Sequence, residues 1–113
     1  MKIEGRWISG EDYELKIISC TKNNIFGRIK LTGNFLQIEK KFNGLILYED
    51  DYEILFVFGL NLQKKADSSF KYLIIQGELN YKYKIMKLAL TKYHNTMDKD
   101  QVETLDISLV QSE

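Results

Sequence analysis

The sequence predicts an all-β fold: one domain, built as an antiparallel up-and-down β-barrel of about eight strands, with a β-sandwich as the alternative. Three observations carry this reading. Residues 52–60 (YEILFVFGL) form the most apolar run, with apolar residues at both odd and even positions, and a strand of that kind is covered on both faces. Elsewhere short runs alternate apolar and polar residues between clusters of Gly, Asn, Asp and Ser, the punctuation of hairpins. There is no proline, which suits a backbone engaged in β ladders. Consecutive hairpins pack as a sandwich or close on themselves, and closure removes exposed edges.

The elements follow in order. Ile3, Gly5 and Trp7 share one face of a first strand, and Ser9-Gly10-Glu11-Asp12 is a turn. Tyr13, Leu15 and Ile17 alternate with Glu14 and Lys16 in a second strand. Thr21-Lys22-Asn23-Asn24 reads as a hairpin loop, since Asn tolerates positive φ. Ile25, Gly27, Ile29 and Leu31 mark the third strand. Residues 35–39 and 44–49 read as a short fourth and a fifth strand, with a turn between them signalled by Lys40-Lys41 and Asn43-Gly44. Asp50-Asp51 makes a tight hairpin into 52–60, and 61–69 is a polar loop. A strand covers 70–76, and 77–80 is a turn or a bulge. Residues 81–93 read as one strand whose apolar positions switch from odd (Tyr81, Tyr83, Ile85) to even (Met86, Leu88, Leu90), implying a bulge near Ile85-Met86. The tail fits a strand through Leu105, Ile107 and Leu109. It also fits a helix capped by Asp98 with Gln101 three residues on.

The chain has 113 residues, enough for a core without disulfides. Lys+Arg and Asp+Glu are both 16, so no global field favours nucleic acid or an anionic membrane, and neither is expected as a partner. Cys20 is the single cysteine. It allows no internal disulfide and too few ligands for zinc, so no metal or cofactor is expected. The first ten residues, MKIEGRWISG, lack an apolar stretch of signal-peptide length, and a cytoplasmic location is the expectation.

Gly5-Arg6-Trp7 on the first strand and Gly27-Arg28-Ile29 on the third give the chain a resemblance to the avidin and lipocalin-like (calycin-type) β-barrels. In the avidin pattern Ile29 stands where an aromatic would. The resemblance implies a barrel with Trp7 closing one end. A biotin site would need several tryptophans and small polar residues. Trp7 is the only tryptophan, and the last long strand reads Met86-Lys87-Leu88-Ala89-Leu90, so biotin binding is not expected. A lipocalin-like carrier of a small apolar ligand would line its lumen with Trp7, Tyr13, Phe56 and Phe58, but an eight-stranded barrel is only just wide enough for such side chains.

Catalytic chemistry finds little support. His94 is the only histidine and reads as a solvated strand-end residue; no phosphate loop or local triad motif occurs, and an enzyme is not expected. Tyr81-Lys82-Tyr83-Lys84 interleaves aromatics and cations, but on a strand the two types point to opposite faces. Glu49, Asp50, Asp51 and Glu53 crowd one hairpin tip in a spacing unlike an EF-hand and read as a contact patch for a basic partner. Phe26, Ile46, Leu55, Val57 and Leu73 lie on faces that a closed barrel would turn outward if Trp7, Phe56 and Phe58 point in. Exposed apolar patches mark interfaces. The expected function is therefore a non-catalytic protein-binding module, of inhibitor or toxin-immunity type. It would act through the acidic hairpin and Leu55 and Val57, toward another protein or in self-association as a homodimer.

Overall fold

The computed structural model describes residues 3–62, 70–95 and 100–112. It contains eight strands: β1 (Gly5–Ser9), β2 (Tyr13–Cys20), β3 (Asn24–Leu31), β4 (Ile38–Glu49), β5 (Glu53–Asn61), β6 (Phe70–Asn80), β7 (Ile85–Asn95) and β8 (Asp100–Ser112). Each pairs antiparallel with its neighbour in sequence, and β8 returns to β1 through Arg6↔Ser112, Trp7↔Gln111 and Ile8↔Val110, closing an up-and-down barrel. The tail is thus the closing strand and not a helix; Asp98 lies outside the described residues.

Period-two alternation sorts the side chains. Trp7 on β1, Leu15 and Ile17 on β2, Ile25 and Ile29 on β3, and Ile54, Phe56, Phe58 and Leu60 on β5 are buried. Leu73, Ile75 and Leu79 on β6 join them with Met86, Leu88 and Leu90 on β7 and Leu109 on β8. Among the described residues no polar or charged side chain is buried, so the interior is a dry apolar core rather than a polar pocket. The Trp7 indole satisfies its one donor by giving Nε1–H to the Ile3 carbonyl at 2.9 Å, which ties the chain start across one end of the barrel.

Several local expectations are corrected. Residues 35–39 and 44–49 are not two strands with a turn between them: β4 runs unbroken from Ile38 to Glu49 and pairs with β3 from Leu31↔Ile38 to Asn24↔Leu45. Gly44 is a packing glycine, because a Cβ there would lie 2.7 Å from the Val57 carbonyl and 2.9 Å from Ile25. Likewise 77–80 is neither turn nor bulge but part of β6, with Gly77 opposite Phe56. The phase switch in 81–93 is not a bulge. Residues 81–84 form the turn between β6 and β7, closed by Lys84 N–H to the Asn80 carbonyl at 3.0 Å, with Lys84 at φ 55°. Tyr81 and Tyr83 therefore belong to no strand alternation. The bulges fall elsewhere, at Ile18 in β2 and Leu47 in β4. The 21–24 hairpin closes by Thr21 N–H to the Asn24 carbonyl at 2.9 Å. It does so without positive φ at either Asn, since Lys84 is the only such non-glycine among the described residues.

Candidate functional site

Three regions bear on function: the lumen, on which the carrier reading depends, the acidic hairpin and the outer wall. Phe42, Phe56 and Phe58 stack through it, with ring centroids 4.0 Å apart for Phe42–Phe58 and 6.4 Å for Phe56–Phe58. Trp7 is fully buried beside this core. Tyr13 is only half-buried; its hydroxyl lies 2.9 Å from where a Cβ on Gly33 would stand, in the β3–β4 connection. Of the four residues expected to line a ligand, three are therefore packing groups and the fourth sits at the barrel's end.

That end carries inward-facing polar residues. Lys92, 12% exposed at its side chain, is 2.8 Å from Glu103, donates to the Phe35 carbonyl at 2.5 Å and lies 4.6 Å from the Phe35 ring centroid. His94 is 3.7 Å from the same Glu103 and half-buried, not simply solvated as its strand-end position suggested. The ammonium of Lys92 holds the Glu103 carboxyl below its usual range, with His94 a smaller contributor. This is an ion-paired latch that pins Phe35 across the mouth. Among the described residues no three His, Cys, Asp or Glu side chains converge as metal ligands do.

The acidic hairpin is largely occupied by its own turn. Asp50 Oδ1 accepts from the backbone N–H groups of Tyr52 and Glu53, both at 2.8 Å, and Oδ2 accepts from Tyr48 Oη at 2.7 Å. These bonds, the Tyr48 one foremost, hold its carboxyl below the ordinary value. Glu49 accepts from Tyr81 Oη at 2.9 Å, and burial followed by this bond pushes the Tyr81 phenol well up. Burial, then the charges of Glu49 and Glu4, raise the nearby Cys20 thiol. Asp51 is exposed and Glu53 half-buried at the start of β5. Of the four carboxylates at the tip, Asp50 fixes the turn and Glu49 is tied to Tyr81 in the β6–β7 turn.

The outer wall of β4–β8 is where the apolar surplus lies. Leu55 and Val57 are half-buried on it, between Tyr48 and Leu45 of β4 and Glu78 and Gln76 of β6. Leu45 is 57% exposed, Leu47 61% and Val102 57%, with Ile74 and Tyr93 also exposed. Leu47 projects outward because the β4 bulge leaves it without a partner on β5. A groove of about 520 Å³ crosses the wall among Leu47, Leu55, Gln76, Glu78, Ala89 and Asp106. The tail does not cover Leu55 or Val57, because β8 pairs with β7 and β1. Two residues expected on this face are not there: Leu73 is fully buried in the core and Ile46 packs against it, since the partners of Leu73 in register, Leu60 and Lys92, fix it inward. Leu45, Leu47, Ile74 and Val102 were missed. In 44–49 the signal was present, since GLILYE is apolar at both parities.

Comparison with known proteins bears on the fold. No protein-family model matches the sequence, and no curated protein does. A biotin-binding protein from chicken, known from an X-ray structure, has a similar fold, with a TM-score of 0.65 and 11% sequence identity over 99% of this chain and 97% of that one. The chain thus has an avidin-like eight-stranded barrel; at that identity the likeness concerns architecture alone.

Proposed function

We propose that this chain is a non-catalytic protein-binding module that docks through the outer wall of β4–β8. The observation that carries this reading is the contrast between the barrel's two surfaces. The inside is filled by Trp7, Phe42, Phe56 and Phe58, whereas the outside leaves Leu45, Leu47, Ile74, Tyr93 and Val102 exposed, with Leu47 and Leu55 lining a groove beside Gln76 and Ala89. Apolar side chains that neither fill a core nor meet a neighbour gain free energy only when a second surface covers them. Five strands about 4.8 Å apart make a wall about 20 Å wide, the scale of the roughly 800 Å² each partner gives to a standard interface. A second copy is one partner the wall suits: its central in-register pair, Glu78↔Lys87, becomes self-complementary about a dyad running between β6 and β7. An inhibitor or immunity-type role, with the acidic hairpin steering a basic partner, is the finer form of the same reading.

The test is light scattering after size-exclusion chromatography over a wide concentration range, with a lysate pulldown alongside, for the wild type and Leu47→Lys/Ile74→Lys. Both positions are exposed, so the variant should fold. The expected result is loss of self-association or of a specific captured protein. A wild type that stays monomeric and captures nothing the variant does not would remove the reading.

A second reading, a carrier of a small apolar ligand, is favoured by the likeness to a biotin-binding protein. It requires the core around Phe58 to open. Native mass spectrometry of protein purified from cells would show a small-molecule adduct if it does; a bare chain mass throughout would count against it.

A further inference from the structure

We infer that the opposite wall, the outer face of β1–β4, binds single-stranded nucleic acid through a row of four cations. In the sequence Arg6, Lys16, Arg28 and Lys41 are scattered. In the barrel Arg6 stands opposite Lys16, Lys16 opposite Arg28, and Arg28 opposite Lys41. All four project outward, because Trp7, Leu15, Ile17, Ile29 and Phe42 beside them face the core. Adjacent strands lie about 4.8 Å apart, so the row is roughly 14 Å long.

Such a row is unfavourable alone, since like charges directly opposite on neighbouring strands repel. The next row, Ile8↔Glu14, Glu14↔Lys30 and Lys30↔Glu39, offsets this in part. Glu14 lies 3.2 Å from Arg6 and Glu39 lies 3.9 Å from Arg28, while Lys16 and Lys41 make no ion pair among the described residues. Lys16, Arg28 and Lys30 line a shallow depression of about 220 Å³ with Glu14 and Glu39, and Arg6 and Lys41 extend the row at its two ends. The balanced total charge of the chain conceals this local excess.

Two further features select the occupant. The charges lie in a line, one per strand, as a polymer with one charge per unit requires. Phe26 projects from the same face of β3, 38% exposed and about 7 Å along the strand from Arg28, beside the bulged Ile18, which is also exposed. A strand whose phosphates follow the cation row therefore brings a base over the Phe26 ring, the combination by which sheet surfaces hold single strands. A folded acidic protein surface does not repeat a charge and a π-face in every unit along a line, as a single strand does.

The test is fluorescence anisotropy of a labelled oligo-dT, with oligo-rU as a second probe. Four phosphate contacts to a single strand predict a slope of log Kobs against log[salt] of about −3. Lys16→Glu/Lys41→Glu should bind at least about tenfold more weakly with a shallower slope. The same variant should melt no lower than the wild type, since it removes like-charge neighbours; this separates lost binding from lost folding. Phe26→Ser should weaken binding and leave the slope unchanged. No binding at about 25 mM salt, or binding equal in wild type and the double variant, would overturn the inference. So would polyglutamate competing as well as the oligonucleotide, which would make the face a general anion surface.

Discussion

Phe56 lies across from Gly77 in the β5–β6 register, and its ring occupies the place where a side chain on residue 77 would begin. Phe42 also lies over a glycine, Gly27 on β3–β4, with ring carbons 2.9 Å from where a Cβ would sit, although there the Lys16 carbonyl is nearer still. A glycine in a strand leaves backbone uncovered, and an aromatic lying over it restores the contact. Gly77→Ala should therefore destabilise the barrel by roughly 1–3 kcal/mol through overpacking. Phe56→Ala should cost about 3–5 kcal/mol through the cavity left behind. The double variant should be less damaged than the two effects added together, because the alanine methyl fills part of that cavity. Urea denaturation of the three variants checks this; strict additivity would refute the pairing.

The filled lumen predicts that a ligand cavity has to be made. Phe58→Ala removes the ring stacked on Phe42 at 4.0 Å and neighbouring Phe56. Apolar cavities of this kind stay dry and take benzene or xenon. Benzene should raise the melting temperature of Phe58→Ala and leave that of the wild type unchanged. An equal rise in both would mean that the native barrel already has room.

The β4–β5 hairpin should respond to acid through Asp50. Its carboxyl lies below the ordinary value of 3.8 because Tyr48 and the N–H groups of Tyr52 and Glu53 hydrogen-bond its charged form. The folded state thus binds this proton less readily than the unfolded chain. The contribution is complete above the unfolded value and is lost as pH falls through the folded one. Asp50→Asn, whose amide oxygen can still accept from the two N–H groups, should be less stable than the wild type at neutral pH. The gap should narrow as pH falls through and below the ordinary carboxyl range, where the folded-state proton binds, and thermal melts from neutral to acid pH measure it.

At the other end of the barrel, Lys92→Met should free the segment that Lys92 holds. The side chain loses its bond to the Phe35 carbonyl and its ion pair with Glu103, at a cost of about 1–2 kcal/mol. Hydrogen exchange should quicken over 33–37 while β5 and β6 stay protected. Exchange unchanged in that segment would show that Phe35 is held by packing alone.

Much of this was legible in the chain itself. Trp7 alternates with Arg6, so its inward direction follows from period two alone. Residues 52–60 are apolar at both parities, and pairing with β4 and β6 turned Phe56 and Phe58 inward and Leu55 and Val57 outward. The tail was ambiguous because Leu105, Ile107 and Leu109 satisfy one period and Val102, Leu105 and Leu109 another. Closure decided it, since β7 and β1 each offered an edge that only a strand could pair.

What the sequence by itself determined was the class of fold and which face of most strands is apolar, because alternation is a local property of consecutive residues. The tertiary structure decided what register decides. Gly44 and Gly77 read as turn signals, yet each lies within a strand, Gly77 seating a ring and Gly44 meeting the Val57 backbone. Leu73 and Ile46 were assigned outward and face the core. Arg6, Lys16, Arg28 and Lys41 become a line only when four strands pair in one alignment. Facing is set by steric alternation along one strand. Which residue stands opposite which is set by hydrogen bonds between segments far apart in the chain, and no window of neighbouring residues contains them.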